Sequence, residues 1–234
     1  MKTLKAILVL ITASAFALMP FFVADFSGFK SDQLPFPQID PPIQPAGYAF
    51  SIWGLIYLWL LLSAVYGLIK RVDDDTWDRT RLPLIISLGI GAAWLPVALS
   101  SAEWATALII VMLAGALIAL LRAPSQDRWW LQAPIAIYAG WLTAASLVSI
   151  AILGAGYGIG TSVTWAYISL TCTLALAIYI QTQKPSAPEY GLTIIWALVA
   201  IIIANAGSNL GIQIYAGFGI LLLIGLKSRS SLPA

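Results

Sequence analysis

Long apolar runs, broken by short clusters of glycine, proline and charge, occupy most of the chain. Hydropathy and turn punctuation predict eight helices: about Leu4 to Phe22, Tyr48 to Ile69, Leu82 to Leu99, Ala102 to Leu121, Trp129 to Leu153, Thr161 to Ile180, Gly191 to Ala204, and Asn209 to Leu226. A membrane-spanning helix needs about 20 apolar residues. The seventh run is shorter, so the pattern allows six spans as well as eight. The expected fold class is all-α: a polytopic transmembrane helical bundle of about eight spans. Lys2 and Lys5 before the first run, with Ala15-Phe16-Ala17, also fit a signal peptide. That cleavage-like site lies inside the apolar run rather than after it, which favours a retained span.

Composition supports the membrane reading. Of 234 residues, 60% are hydrophobic and 9% charged, against roughly 25% charged in ordinary soluble domains; mean hydropathy is +0.90. Eight spans would use about 160 positions, leaving no room for a soluble catalytic domain. The net charge of +2 is spread over several loops, so no continuous basic face offers itself to nucleic acid. Histidine is absent and cysteine occurs once, at Cys172. An internal disulfide and a His-ligated haem are thereby excluded, and a zinc site is disfavoured. Cys172 falls mid-span, where it is expected to be a buried, inert packing residue.

Placing the amino terminus in the cytoplasm puts Lys2, Lys5, Lys70, Arg71, Arg79, Arg81, Arg122, Arg128, Lys184, Lys227 and Arg229 on that side and Lys30 opposite. The expectation is an integral membrane protein of a bacterial cytoplasmic membrane, with both termini cytoplasmic. All Asp, Glu, Lys and Arg residues are expected in loops or at span edges. Proton-coupled carriers commonly need buried charge, so active transport is demoted. A small-solute carrier would have to use the polar junction of Asn205, Ser208 and Asn209, which reads equally as a short outer turn. Paired carboxylates in a cleft are lacking too, so no catalytic residues are assigned. Asp73, Asp74, Asp75 and Asp78 in the Arg71 to Arg81 loop lack EF-hand spacing and read as a solvated turn, so no metal site is assigned. The loop from Val23 to Gly47 holds Pro35, Pro37, Pro41, Pro42 and Pro45, which stiffen it into either a tether or a lid.

Ten Trp and nine Tyr are unusual. Trp77, Trp104, Trp129 and Trp130 fall at predicted span ends, as interfacial anchors do. Trp53, Tyr57, Trp94, Tyr138, Trp141, Trp165 and Trp196 fall deeper. Phe50, Trp53 and Tyr57 share one stripe of the second helix, and Tyr138 and Trp141 one stripe of the fifth. Such rings either fill gaps between helices or line a cavity suited to a flat, apolar ligand.

Asp40-Pro41-Pro42, followed by Tyr48-Ala49-Phe50-Ser51-Ile52-Trp53-Gly54-Leu55-Ile56-Tyr57, resembles the Pro-Pro, Val-Phe, Pro-Val-Trp and Leu-Tyr pattern of the TspO/MBR family, the tryptophan-rich sensory or translocator proteins. Trp94-Leu95-Pro96 looks like that family's Trp-Ser-Pro, and the run Ile137 to Ala145 like its fifth-helix motif. The resemblance implies a five-helix bundle over residues 1–153; the further helices that hydropathy marks over 154–234, about three, depart from it and make the chain an extended, divergent branch. The resemblance also implies an aromatic pocket under the first loop, with Phe50, Trp53, Tyr57, Trp94, Pro96, Tyr138 and Trp141 as ligand-binding residues. Porphyrin or another tetrapyrrole, a sterol-like molecule or another lipid would be its ligand, and no cofactor is required. A sensory or translocator role is implied rather than ordinary enzyme catalysis, with light-dependent porphyrin degradation as the family's exception. Membrane lipids, an apolar small molecule and a homodimer or membrane-complex partner complete the expectations. The chain departs from the family pattern at Gly91-Ala92-Ala93 and at Ser146 and Ser149, where the family carries Asn. A structural or assembly subunit of a membrane complex is the competing reading.

Overall fold

The computed structural model describes residues 1–23, 26 and 28–230, with only the backbone described at Ser31 and at 227–230. Within the Val23 to Gly47 loop, positions 24, 25 and 27 therefore lie outside the described residues. So do the side chains of Lys227 and Arg229, two of the expected cytoplasmic charges. The described chain forms eight α-helices: α1 (Lys2–Leu18), α2 (Ile52–Lys70), α3 (Asp75–Ala98), α4 (Ala102–Arg122), α5 (Ala133–Gly156), α6 (Ser162–Gln183), α7 (Pro188–Ala204) and α8 (Leu210–Ser230). Short 3-10 turns extend α1 over Met19–Phe21 and precede α2 over Gly47–Ser51, and a π turn over Arg128–Gln132 leads into α5. Six of the eight are long and apolar enough to cross a membrane, and the chain is an integral membrane protein.

α7 has only 17 residues, yet it joins the two ends of the bundle. At its first turn Glu189 pairs with Arg128. At its far end the Asn205 side-chain amide donates to the Pro42 carbonyl at 2.7 Å. α8 then returns along α6 and α7.

Local chemistry fixes several helix starts. Asp74 Oδ1 accepts from the backbone N–H of Thr76 at 2.8 Å and of Trp77 at 3.2 Å. With Asp75 and Asp78 in the first turn, this acidic N-terminus complements the helix dipole. α3 consequently begins at Asp75 rather than near Leu82, and Asp78, Arg79 and Arg81 stand inside the helix, not in a loop. α7 likewise begins before Glu189, with Pro188 at its first position, where the missing N–H costs nothing. Ser101 caps α4 and Thr161 caps α6 through backbone N–H groups.

α5 is the central helix, packed by α2, α4, α6 and α7. Its buried small residues, among them Ala136, Ala139, Gly140 and Ala144, allow neighbouring backbones to approach closely. A Cβ built on Gly140 would lie 2.6 Å from the Tyr190 carbonyl oxygen of α7. Gly115 of α4 plays the same part against α3, where a Cβ would lie 2.8 Å from the Pro83 carbonyl.

The bundle end carrying the α2–α3 turn holds all five ion pairs found among the described residues: Lys2–Asp75, Lys5–Asp78, Arg71–Asp127, Arg81–Asp78 and Arg128–Glu189. The acidic cluster is thus distributed between capping and pairing with the start of α1. Arg81 is buried and donates to the carbonyls of Arg71 at 2.7 Å, Val72 at 2.8 Å and Lys2 at 3.2 Å. It ties the α2–α3 turn to the first residues of the chain.

Two sequence expectations are corrected. Trp77 is no interfacial anchor. It is buried against Gly67, and its Nε1–H donates to Asp127 Oδ2 at 2.9 Å. Trp104, Trp129 and Trp130 are exposed as expected. Cys172 is exposed, because α6 packs through Ala166, Ser169, Leu170, Thr173 and Ala177 and position 172 falls on the other face.

An aromatic cavity beneath the proline-rich loop

The described chain between α1 and α2 lies across the end of the bundle opposite the ion pairs, tied down from Gln33 onward. Gln33 Nε2 donates to the Ala98 carbonyl at 3.0 Å, and Phe36 N to that of Gly156 at 2.9 Å. Ser162 donates to Gln38 Oε1 at 2.7 Å, and Ala46 N to the Ala200 carbonyl at 3.1 Å. These bonds reach α3, α5, α6 and α7. Between them Leu34 and Ile43 are buried as hydrophobic plugs. The loop is therefore a cover, not a loose tether. Asp40 takes φ +46 in the turn before Pro41, a left-handed conformation that Asp tolerates better than most residues.

Under this cover is a cavity of about 50 Å³. Phe50 and Trp53 at the start of α2, Trp94 of α3, Ile109 of α4 and Trp141 of α5 form its walls. Ala197 and Ile201 of α7 complete them, and Phe26, Gly28, Phe29, Gln44 and Pro45 close it from the loop. The rings meet edge to face: Trp53 and Trp141 have centroids 6.1 Å apart, Phe50 and Trp141 5.8 Å, and Phe26 and Trp94 5.1 Å. Such geometry sets the positive edge of one ring against the negative face of another. Among the described residues Gln44 and Ser149 are the polar side chains in the lining, and no Asp, Glu, Lys, Arg, Tyr or Cys of those residues belongs to it.

Indole N–H groups decide how each Trp is held. Trp94 Nε1 donates to the Ala105 carbonyl at 2.9 Å, which fixes its ring against α4. Trp141 is only 2% exposed, and its Nε1 has no partner among the described residues. A buried donor left unpaired costs about 1–3 kcal/mol.

Of the seven residues singled out in the sequence, Phe50, Trp53, Trp94 and Trp141 line this cavity. Tyr57 and Tyr138 lie one turn deeper. Tyr57 stacks on Trp53 with centroids 5.4 Å apart, and the Tyr138 hydroxyl is 2.9 Å from Ser87 Oγ. Pro96 is exposed on α3, away from the others. At 3.6 residues per turn, a residue two beyond the inward-facing Trp94 points to the far side.

Sequence reasoning missed Phe16, whose ring stands 5.7 Å from Trp53, 4.9 Å from Tyr57 and 5.7 Å from Tyr138. It comes from α1, which carries no recognised motif. Phe16 also gives a reason for the departure at Gly91: a Cβ there would lie 2.8 Å from the Phe16 ring and 3.1 Å from Met112 Cε. The covering Phe26 and Phe29, and the α7 wall, were likewise invisible to motif matching.

The Asn205 to Asn209 junction is a turn between α7 and α8. The Asn205 side-chain amide donates to the carbonyls of Pro42 and Ile201, and the main-chain carbonyl of Asn205 accepts from the side chains of Gln213 and Ser208. Among the described residues no cluster of three or more His, Cys, Asp or Glu could hold a metal ion.

Fold and cavity together define a polytopic helical membrane protein with an aromatic chamber closed by a loop. A family model described as TSPO-like protein matches residues 2–228, from α1 into the last turn of α8. The chain belongs to this TSPO-like family. No curated protein and no solved structure matches it.

Proposed function

We propose that the chain binds a flat, largely apolar ligand in the cavity beneath the loop and acts as a sensor or translocator of that ligand. The observation that carries this reading is the Trp141 N–H, buried without an acceptor among the described residues, on a ring that lines a chamber with Phe50, Trp53 and Trp94. A ligand with a π face to stack and one acceptor to offer would satisfy both features, and a tetrapyrrole or a polar-tipped lipid has both. Among the described residues the lining holds no titratable side chain, which favours binding over acid–base catalysis.

Size adds a requirement. Pockets for drug-sized ligands run roughly 300–1,000 Å³, far above the 50 Å³ enclosed here. Entry of a tetrapyrrole therefore requires Phe26 and Phe29 to swing out with the loop. With the ion-paired end in the cytoplasm, the mouth opens on the opposite side of the membrane.

Titration of the detergent-purified protein with protoporphyrin, read by Trp fluorescence and corrected with free tryptophan, tests the proposal. Saturable quenching is expected, with affinity falling about tenfold or more in Trp141→Phe, which loses the N–H, and less in Trp53→Phe. Equal affinity in the wild type and a properly folded double variant would refute the site.

A further inference from the structure

A second concavity, of about 370 Å³, runs between α2 and α7 over Ile137 of α5 and shares no lining residue with the aromatic cavity. Leu55 and Leu192 face each other across it, 47% and 49% exposed, so the groove opens on the apolar surface that a bundle of this kind presents to lipid. One wall carries Glu189, a carboxylate only 7% exposed. Both Arg128 Nε, at 3.1 Å, and Arg128 Nη2 donate to the same oxygen, Glu189 Oε1. Oε2 is left buried with no donor among the described residues. Arg128 is itself 38% exposed, its guanidinium lies 5.0 Å from the centroid of the exposed Trp129 ring, and its Nη1 donates to no acceptor among the described residues. The pair therefore holds, on the wall of an apolar slot, a carboxylate oxygen without a donor among the described residues beside a partly exposed guanidinium, and a ligand reaches that buried oxygen by turning the Glu189 carboxylate toward the groove.

We propose that this groove seats a zwitterionic phospholipid whose head carries a primary ammonium. Its phosphate accepts from Arg128, its ammonium donates to Glu189 Oε2, and one acyl chain lies along Leu55, Ile137 and Leu192 toward Trp196. Charged groups bonded in this way are the stronger class of hydrogen bond. The head chemistry is selective. A choline head has no N–H to give Oε2, and an anionic head without an ammonium brings at most a neutral hydroxyl donor, with no cation to balance the carboxylate. This site is independent of the ligand proposed for the aromatic cavity.

The test is native mass spectrometry of the full chain in detergent, titrated with phosphatidylethanolamine, its N-methyl and N,N-dimethyl derivatives and phosphatidylcholine of the same acyl chains. One ethanolamine lipid is expected per chain, with affinity declining along the methylation series and at least about tenfold weaker for choline, the scale of one lost hydrogen bond to a charged group. Glu189→Gln should reduce that preference to within about twofold. Leu192→Trp, which fills the slot without touching the ion pair, should weaken all four lipids about tenfold. Equal retention of the ethanolamine and choline lipids by the wild type overturns the proposal, as does a tenfold preference that survives in Glu189→Gln. Wild-type binding by a folded Leu192→Trp variant overturns it too. Should Glu189→Gln fail to fold, the methylation series and Leu192→Trp decide the matter without it.

Discussion

Adding one methyl group at two glycines of this bundle should move stability in opposite directions. Gly140 and Gly54 both lie within α-helices, and Ala in place of Gly gains about 1 kcal/mol of helix propensity at either. At Gly54 a Cβ meets nothing within 4 Å, so the propensity gain stands. At Gly140 the same Cβ would sit 2.6 Å from the Tyr190 carbonyl oxygen and 2.9 Å from Thr193 Cβ. Neither contact is the far end of a flexible side chain, so α7 as a whole must back away from α5. Overpacking of this kind costs about 1–3 kcal/mol. With a main-chain atom as the obstacle, the upper half of that range applies. The net expectation is a loss of about 1–2 kcal/mol for Gly140→Ala and a gain of up to about 1 kcal/mol for Gly54→Ala. Scanning fluorimetry in one detergent would read the two midpoints against the wild type. Because α7 supplies Ala197 and Ile201 to the cavity wall, Gly140→Ala should also weaken protoporphyrin quenching. A Gly140→Ala protein that melts at or above the wild type would refute the close α5–α7 packing and the cavity wall built on it.

Arg81→Met should lower stability by about 2–4 kcal/mol, since three partly buried carbonyls lose their charged donor at once; thermal midpoints would show it. Arg81→Lys should rescue little, because one ammonium cannot reproduce the guanidinium fork. The Arg71 guanidinium bonded to Asp127, helped by the Trp77 N–H, holds that carboxyl below its usual range although burial opposes the shift. Its stabilising contribution is therefore fully present above the unfolded value of about 3.9 and is lost as the pH falls from there through the lower folded value. Asp127→Asn should flatten the fall in denaturation midpoint below about pH 4, and an unchanged acid profile would count against the pairing. Gly91→Asn, which restores the residue type expected from the family pattern, should destabilise the fold by about 1–3 kcal/mol by crowding Phe16, measurable by the same thermal assay.

Much of the fold is legible in the sequence because a bilayer imposes a simple code. Each span must be a run of apolar residues with its backbone bonds satisfied internally, so hydropathy marks eight helices with boundaries mostly within a few residues. The errors have local causes. The start of α3 was hidden because Asp75 to Arg81 are polar, and only the capping chemistry of Asp74 shows that they are helical. Hydropathy starts the seventh helix near Gly191 for the same reason and leaves Glu189 outside it, although Pro188 is a helix-start signal.

Sequence by itself determined the class: apolar runs long enough to span, basic residues other than Lys30 kept to one end, no histidine, and aromatic residues at helical spacing on α2 and α5. Spacing along one helix fixes which side chains share a face, and so Phe50 and Trp53 fall together. Tertiary structure alone decided what those faces meet. Phe16, Phe26, Phe29 and Ile201 reach the aromatic cluster or its cavity from elements without any motif, because contacts between helices depend on crossing geometry rather than on spacing within one strand of sequence. Pro96, two residues beyond Trp94 in the same motif, is turned outward by helical rotation. Trp77 and Cys172 exchanged their expected environments because hydropathy reports that a residue lies in an apolar segment, and packing decides whether it faces a neighbouring helix or the surrounding lipid.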